Sequence, residues 1–295
     1  MDNAGWRRSG LGPGGLRRAW RLLRVFTVLA LYFSAAPFGY AAFALLRALP
    51  SRDRDARARK LQRVLQRAFT LMHDCIRAFR LIDFDPRRVE GELPEGPCVV
   101  VANHPSLIDV TSIMATVGGA ATAVKPSIFR RWWLRPLLED AGQFEGNGAS
   151  PLSIARLVDA SVDRLGRGFR VLLFPEGTRS PEGGLHRFGR APFEVACQAN
   201  VPVVPIVVTL EPRWLTKERG ILRPPDGVSR QRLTVLKPIH PADYGRCSRT
   251  LRDVVDARIR ERLGLVVPAS AVLDENHEGI TGIAPEEADR RIAHA

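Results

Sequence analysis

Two short polar stretches interrupt otherwise apolar runs: residues 103–109 read NHPSLID and residues 174–180 read FPEGTRS. In the first, His104 stands shortly before Asp109. A carboxylate that holds one imidazole nitrogen lets the other take a proton from a nucleophile, as in the histidine and aspartate part of a hydrolase triad. A hydroxyl supplied by the substrate would replace the serine. The spacing has a second reading, because Ser106 to Asp109 also fits S-x-x-D, a capping signature in which the acid satisfies the first helical turn and its dipole. In the second stretch, Glu176, Gly177, Thr178 and Arg179 combine a glycine turn, which lets backbone amides approach a ligand, with an arginine able to grip phosphate through two hydrogen bonds. A solvated loop with an incidental ion pair is the plainer alternative.

These residues need a scaffold, and from about residue 88 the pattern supplies one. Short apolar runs at 97–102, 122–125, 170–174, 201–208 and 232–239 read as buried strands. Residues 106–117, 127–139, 151–165 and 192–200 between them read as helices. The order is α/β, a single catalytic domain with a central mixed sheet covered by helices. Asn103 and His104 then fall where a buried strand ends and a helix begins, the edge at which open α/β sheets bind ligands. Glu176 to Arg179 emerge from another strand end.

The 295 residues carry a formal charge of +13, which suits an anionic partner such as a nucleic acid, a membrane surface, an acidic carrier protein or a phosphorylated substrate. Residues 1–83 hold sixteen basic against five acidic side chains, so most of the excess lies there. Residues 268–295 hold six acids against two arginines without a sustained apolar period, and read as an acidic disordered tail. Cys75, Cys98, Cys197 and Cys247 lie far apart, with no CxxC pair and no histidines at metal spacing, so neither a zinc site nor a disulfide framework is indicated. A reducing compartment fits.

The basic N-terminal segment surrounds twenty-two uncharged residues, Val25 to Leu46, bounded by Arg24 and Arg47. At about 1.5 Å per residue this run could cross a hydrocarbon layer of about 30 Å. Pro37 and Gly39 interrupt it and permit a kink or a helical hairpin. Arginines on both flanks favour a re-entrant or in-plane anchor over a single crossing. Residues 55–81 follow as a basic amphipathic helix, with Leu61, Leu65, Phe69, Met72 and Ile76 at helical spacing. Its apolar stripe suits either a headgroup boundary or the domain that follows. The expected organisation is an anchor over 1–83, a catalytic domain over 84–267 and a tail over 268–295.

Taken together, the motifs resemble those of the glycerolipid acyltransferase family, over roughly residues 85–245. NHPSLID matches the family's N-H-x-x-x-x-D, FPEGTRS its F-P-E-G-T-R-S, and VPVVPIVV its fourth, apolar block; VKPS around Lys125 is similar to a further family segment. The resemblance implies transfer of a fatty acyl group from an acyl thioester, acyl-CoA or acyl carrier protein, to the hydroxyl of a lysolipid such as 1-acylglycerol-3-phosphate. It implies no cofactor and no metal. His104 would be the general base and Asp109 its orienting carboxylate, with Asn103, Lys125, Glu176, Gly177, Thr178 and Arg179 on the substrate side. It further implies a place at a membrane, the cytoplasmic face of a bacterial inner membrane, with membrane lipids as partners and no nucleic acid. Two segments depart from the family pattern. GQFEGNG, from Gly142, keeps glycine and phenylalanine of G-x-x-F-x-x-R but has no arginine, and FGRAP at 188–192 stands where lysine and glycine are common.

Two other readings compete. A membrane-bound thioester or lipid hydrolase would use Ser106 as nucleophile, although the chain has no G-x-S-x-G elbow. A basic membrane-tethered binding protein would explain the charge, but no RRM, zinc-finger or basic-zipper pattern accompanies it.

Overall fold

The computed structural model describes residues 13–48, 53–146 and 150–266. The chain opens on two helices, α1 (Pro13–Ala48) and α2 (Arg54–Ala78). Strands and helices then alternate through β1 (Ile82–Asp83), β2 (Val99–Ala102), α3 (Asp109–Val117), β3 (Ala120–Val124), α4 (Pro126–Phe129), α5 (Arg135–Asp140), β4 (Phe144–Glu145), α6 (Pro151–Gly166), β5 (Arg170–Leu173) and α7 (Ala191–Ala199). The last elements are β6 (Val203–Glu211), β7 (Ser229–Val235) and α8 (Ser248–Arg262). The expected tail over 268–295 lies outside the described residues.

The strands form one sheet in the order β1-β7-β6-β2-β5-β3-β4. Every neighbouring pair is parallel except β6 with β7, so the sheet is mixed. Its central strand β2 is apolar throughout because both faces are covered, whereas β7 alternates buried and exposed positions. Along β2 the alternation of side chains sends Val100 and Ala102 into a core shared with α1, α2 and α3, and Val99 and Val101 into a second core under α6, α7 and α8. Parallel pairing brings the C-terminal ends of β6, β2, β5, β3 and β4 to one edge, and the antiparallel β7 begins there.

Five elements, α4, α5, β1, β4 and α8, depart from the expected pattern. The expected helix over 127–139 is divided into α4 and α5, and Pro136 lies in the first turn of α5, where its missing N–H costs nothing. β1 and β4 are two residues each, too short to display a period. α8 does display one: Leu251, Val254, Val255 and Ile259 are its buried side, between many charged residues.

The N-terminal helices divide their labour. α2 turns its apolar stripe inward, with Leu61 buried and Leu65, Phe69 and Ile76 packed on the sheet's core. α1 is one 36-residue helix with Pro37 inside it, not a hairpin. At about 1.5 Å per residue it is about 54 Å long. Near its start, Val25, Val28 and Leu29 join the core, and the Arg21 guanidinium donates to the carbonyls of Asp226 and Gly227. At its far end Arg47 pairs with Asp140 at 2.6 Å, and the Tyr40 hydroxyl donates to the Trp133 carbonyl at 3.2 Å. Between these fastenings Leu31, Tyr32, Phe33 and Phe38 stand in solvent.

Candidate active site

The two polar stretches are one structure. His104 N–H donates to Glu176 Oε1 and to Ser180 Oγ, both at 3.1 Å, and Ser180 N–H returns a bond to the His104 carbonyl at 2.8 Å. Adjacent β2 and β5 end together, so the loops that leave them must meet. The Leu215 carbonyl, in the loop after β6, accepts from both Leu107 N–H at 3.0 Å and Arg179 Nη1 at 2.9 Å. Three strand ends are thereby tied into a single rim.

At that rim His104 Nδ1 lies 2.9 Å from Asp109 Oδ2. The carboxylate is fully buried, while the imidazole keeps 16% of its side-chain surface exposed, so the pair has a rigid inner member and a reachable outer one. A carboxylate only accepts, which makes Nδ1 the protonated nitrogen and directs the lone pair of Nε2 away from Asp109. The ring stacks on Phe174, centroids 4.4 Å apart and planes at 29°, which limits its rotation.

The S-x-x-D spacing does not form a capping box, because α3 begins at Asp109 with Ile108 as its N-cap, but the Asp109 carboxylate does reach back to Ser106. Its Oδ2 accepts from Ser106 N–H at 2.6 Å, and the Ser106 hydroxyl donates to Oδ1 at 2.5 Å. The carboxylate can serve both Ser106 and His104 because it has about four lone-pair sites. The same geometry weakens Ser106 as a nucleophile: its side chain is buried and its hydroxyl is committed to Asp109.

The remaining sequence candidates divide between bracing and exposure. Asn103 is buried, and its carboxamide is spent on the backbone of Val208 in β6. Glu176 is also buried, with Oε1 accepting from His104 N–H and the Ser180 hydroxyl and Oε2 from His186 N–H at 2.8 Å. Both were expected on the substrate side, but a buried amide or carboxylate must be paired internally, and these two are. Gly177, at a φ of 65°, and Thr178 are exposed at the tip of the turn. Arg179 is half-buried, with Nη1 donating to the Leu215 and Thr216 carbonyls at 2.9 and 2.7 Å. A guanidinium has five N–H donors, so Nε and Nη2 can still form a fork for an anion. Lys125 is exposed at the end of β3, two strands along the same edge from His104.

In the divergent segment, Phe144 enters the core from β4 and Gln143 holds Thr122 N–H at 2.8 Å. Its last residues, 147 and 148, lie outside the described residues. Sequence reasoning overlooked Ser180, Ser112, His73 and Gln231. Gln231 was discoverable: extending the alternation of β7 back from Leu233 and Val235 puts it on the inward face, where a polar side chain is unusual.

Fold and site together define an α/β protein that holds a paired histidine and aspartate on the C-terminal rim of its sheet. Residues 86–209 match the family model described as Acyltransferase. The chain is 30% identical over 171 residues to 1-acyl-sn-glycerol-3-phosphate acyltransferase BAT2, chloroplastic, of Brassica napus, a match covering 58% of this chain and 47% of that protein. It is 29% identical over 140 residues to the 1-acyl-sn-glycerol-3-phosphate acyltransferase of Pseudomonas aeruginosa, covering 45% of this chain and 52% of that one. The chain thus spans about half the length of these curated relatives. The crystal structure of the 1-acyl-sn-glycerophosphate (LPA) acyltransferase, PlsC, from Thermotoga maritima superposes with a TM-score of 0.66 over 84% of this chain and 96% of that one; at 22% identity the likeness concerns the fold.

Proposed function

We propose that the protein is a membrane-associated acyltransferase that moves a fatty acyl group from a thioester, acyl-CoA or acyl carrier protein, to the hydroxyl of a lysolipid such as 1-acylglycerol-3-phosphate. The observation that carries this reading is the bond of 2.9 Å between His104 Nδ1 and the buried Asp109 carboxylate, at a rim where the imidazole remains reachable. The match of residues 86–209 to the Acyltransferase model and the names of the similar proteins support the reaction class.

In this mechanism Nε2 of His104 removes the hydroxyl proton as the oxygen attacks the thioester carbonyl carbon. The new C–O bond gives a tetrahedral oxyanion; its collapse breaks the C–S bond, and the imidazolium returns its proton to the departing thiolate. Asp109 keeps Nδ1 protonated and offsets the positive charge on the ring during the step. No acyl-enzyme forms. Arg179 and Lys125 provide cations along the strand ends for a phosphate on the acceptor.

The exposed apolar middle of α1 supports a membrane site, with lipid as its surrounding. Both parts of α1 that flank this stretch are fastened to the same α/β domain, at Arg21 and at Arg47. A bilayer crossing would separate those two points, whereas a helix lying in one leaflet keeps both. The proposed location is the cytoplasmic face of a bacterial inner membrane, where basic flanks meet anionic lipid.

The test incubates membranes containing the full chain with a panel of lysolipids and labelled acyl-CoA or acyl carrier protein. Labelled esterified lipid is the expected product. Release of free fatty acid without ester would replace this reading with hydrolysis.

A further inference from the structure

Asp109 receives two of its bonds from Ser106, a neighbour in the turn that leads into α3. Another comes from far away in sequence: Gln231 Nε2, on β7, donates to Oδ1 at 2.9 Å. Gln231 is 4% exposed and stands beside Leu210 of β6 in the sheet register. The other end of its amide is held as well, because the Ser112 hydroxyl of α3 donates to Gln231 Oε1 at 2.7 Å. Behind Ser112 lies His73 of α2, buried, with Nε2 3.3 Å from Ser112 Oγ and 3.2 Å from Thr111 Oγ1.

These bonds run in one direction. A carboxylate can only accept, so Nε2 of Gln231 must face Asp109 and its oxygen must face the serine. His73 can then donate to Ser112, Ser112 to Gln231, and Gln231 to Asp109, whose second oxygen holds the imidazole of His104. An apolar residue would fill this strand position at no desolvation cost. A buried amide with both ends engaged is retained for what it does to its neighbours.

We propose that Gln231 is a positioning residue: it sets the rotation of the Asp109 carboxylate and withdraws part of its negative charge, and through Asp109 it governs how readily His104 accepts a proton. This rests on His104 and Asp109 acting as the base pair described above. Ser106 orients the carboxylate relative to its own loop. Gln231 ties it to the sheet, and the chain through Ser112 extends that tie to α2.

Gln231→Glu isolates the effect. It preserves the side chain's length and its bond from Ser112 but replaces the N–H donor with a second carboxyl beside Asp109, so the two must share a proton or repel. Where both carboxyls are ionised, the added negative charge favours the protonated imidazole, and the base is lost at a higher pH. Glu176, which accepts from His104 N–H, Arg179, which donates to the same Leu215 carbonyl as Leu107 N–H, and His73 of α2 beside Ser112 also border this cluster, and all are unchanged by the substitution.

The experiment compares pH–rate profiles and Michaelis parameters of the full chain in membranes, with thermal melts to monitor folding. For Gln231→Glu, kcat should fall roughly tenfold or more, equivalent to about 1.4 kcal/mol, and the acid limb should move up by about one pH unit, while KM for both substrates stays within about twofold. A folded variant with the parent's kcat and acid limb overturns the inference. If Gln231→Glu does not fold, Gln231→Met serves instead: losing the amide dipole should lower kcat and move the limb the same way by less, and a parental profile overturns the inference. His104→Ala is measured alongside. Full activity there removes the base assignment itself, whereas an inactive His104→Ala with a parental Gln231 variant removes only the role of Gln231.

Discussion

The carboxamide of Asn103 behaves as an extra peptide group, donating to the Val208 carbonyl at 2.8 Å and accepting from Val208 N–H at 2.7 Å. Backbone pairing between β2 and β6 reaches Ala102 and Ile206, and the Asn103 side chain continues it one step further. His104 therefore leaves the sheet from a fixed point.

Asn103→Ala should consequently cost stability as well as activity. It leaves a buried N–H and a buried carbonyl at Val208 unpaired, each worth about 1–3 kcal/mol, for a total loss of roughly 2–6 kcal/mol. Urea unfolding of the detergent-solubilised chain measures it. A loss below about 0.5 kcal/mol would mean that water or a shifted backbone replaces the amide.

Removing the base should nearly abolish acyl transfer. General-base assistance contributes about 10²–10⁴-fold, so His104→Ala should lose that factor or more. Asp109→Asn should also lose a large factor, because an amide that presents N–H to Nδ1 favours the wrong tautomer. Initial rates at saturating donor and acceptor report both, and unchanged turnover in the alanine variant rejects the assigned base.

Arg179→Ala should discriminate between acceptors. A charge-assisted bond contributes about 1.5–3 kcal/mol, so kcat/KM for phosphorylated lysolipids should fall roughly tenfold to a hundredfold. Unphosphorylated acceptors should suffer less, through loosening of the loop whose Leu215 and Thr216 carbonyls lose a donor. Equal losses for both acceptor types would assign Arg179 to the loop alone.

His73 predicts a pH dependence of folding. Burial lowers its pKa from 6.5 to about 4, outweighing the nearby Asp74 charge and the Thr111 bond. The unfolded chain binds this proton below about pH 6.5 and the folded chain only below about 4, so the contribution is complete above 6.5 and is lost as the pH falls through that interval. At most it amounts to roughly 3 kcal/mol. Denaturant midpoints between pH 4 and 7 should therefore rise more steeply for the parent than for His73→Gln, and parallel curves would exclude His73 as the source.

Much of this molecule is readable in one dimension. Buried strands advertise themselves as unbroken apolar runs, and β2, β3, β5, β6 and β7 all overlap expected ones. The motif pair is equally visible, since His104 and Asp109 are five residues apart and the turn that leads into α3 can bring them within reach. The uncharged run of α1 announces itself by length, although its continuity through Pro37 does not.

Tertiary structure decided what the polar residues do. Asn103 and Glu176 look like binding residues when seen beside His104, yet both are consumed in holding loops together, because burial at the rim leaves no water to satisfy them. Likewise the stripe on α2 could have met lipid or protein, and only packing turned it inward. Gln231 lies 122 positions from Asp109, a separation at which sequence carries no geometric information. Local spacing determines which groups can touch within a turn; contacts between strands follow from sheet order and register, which exist only once the chain has folded.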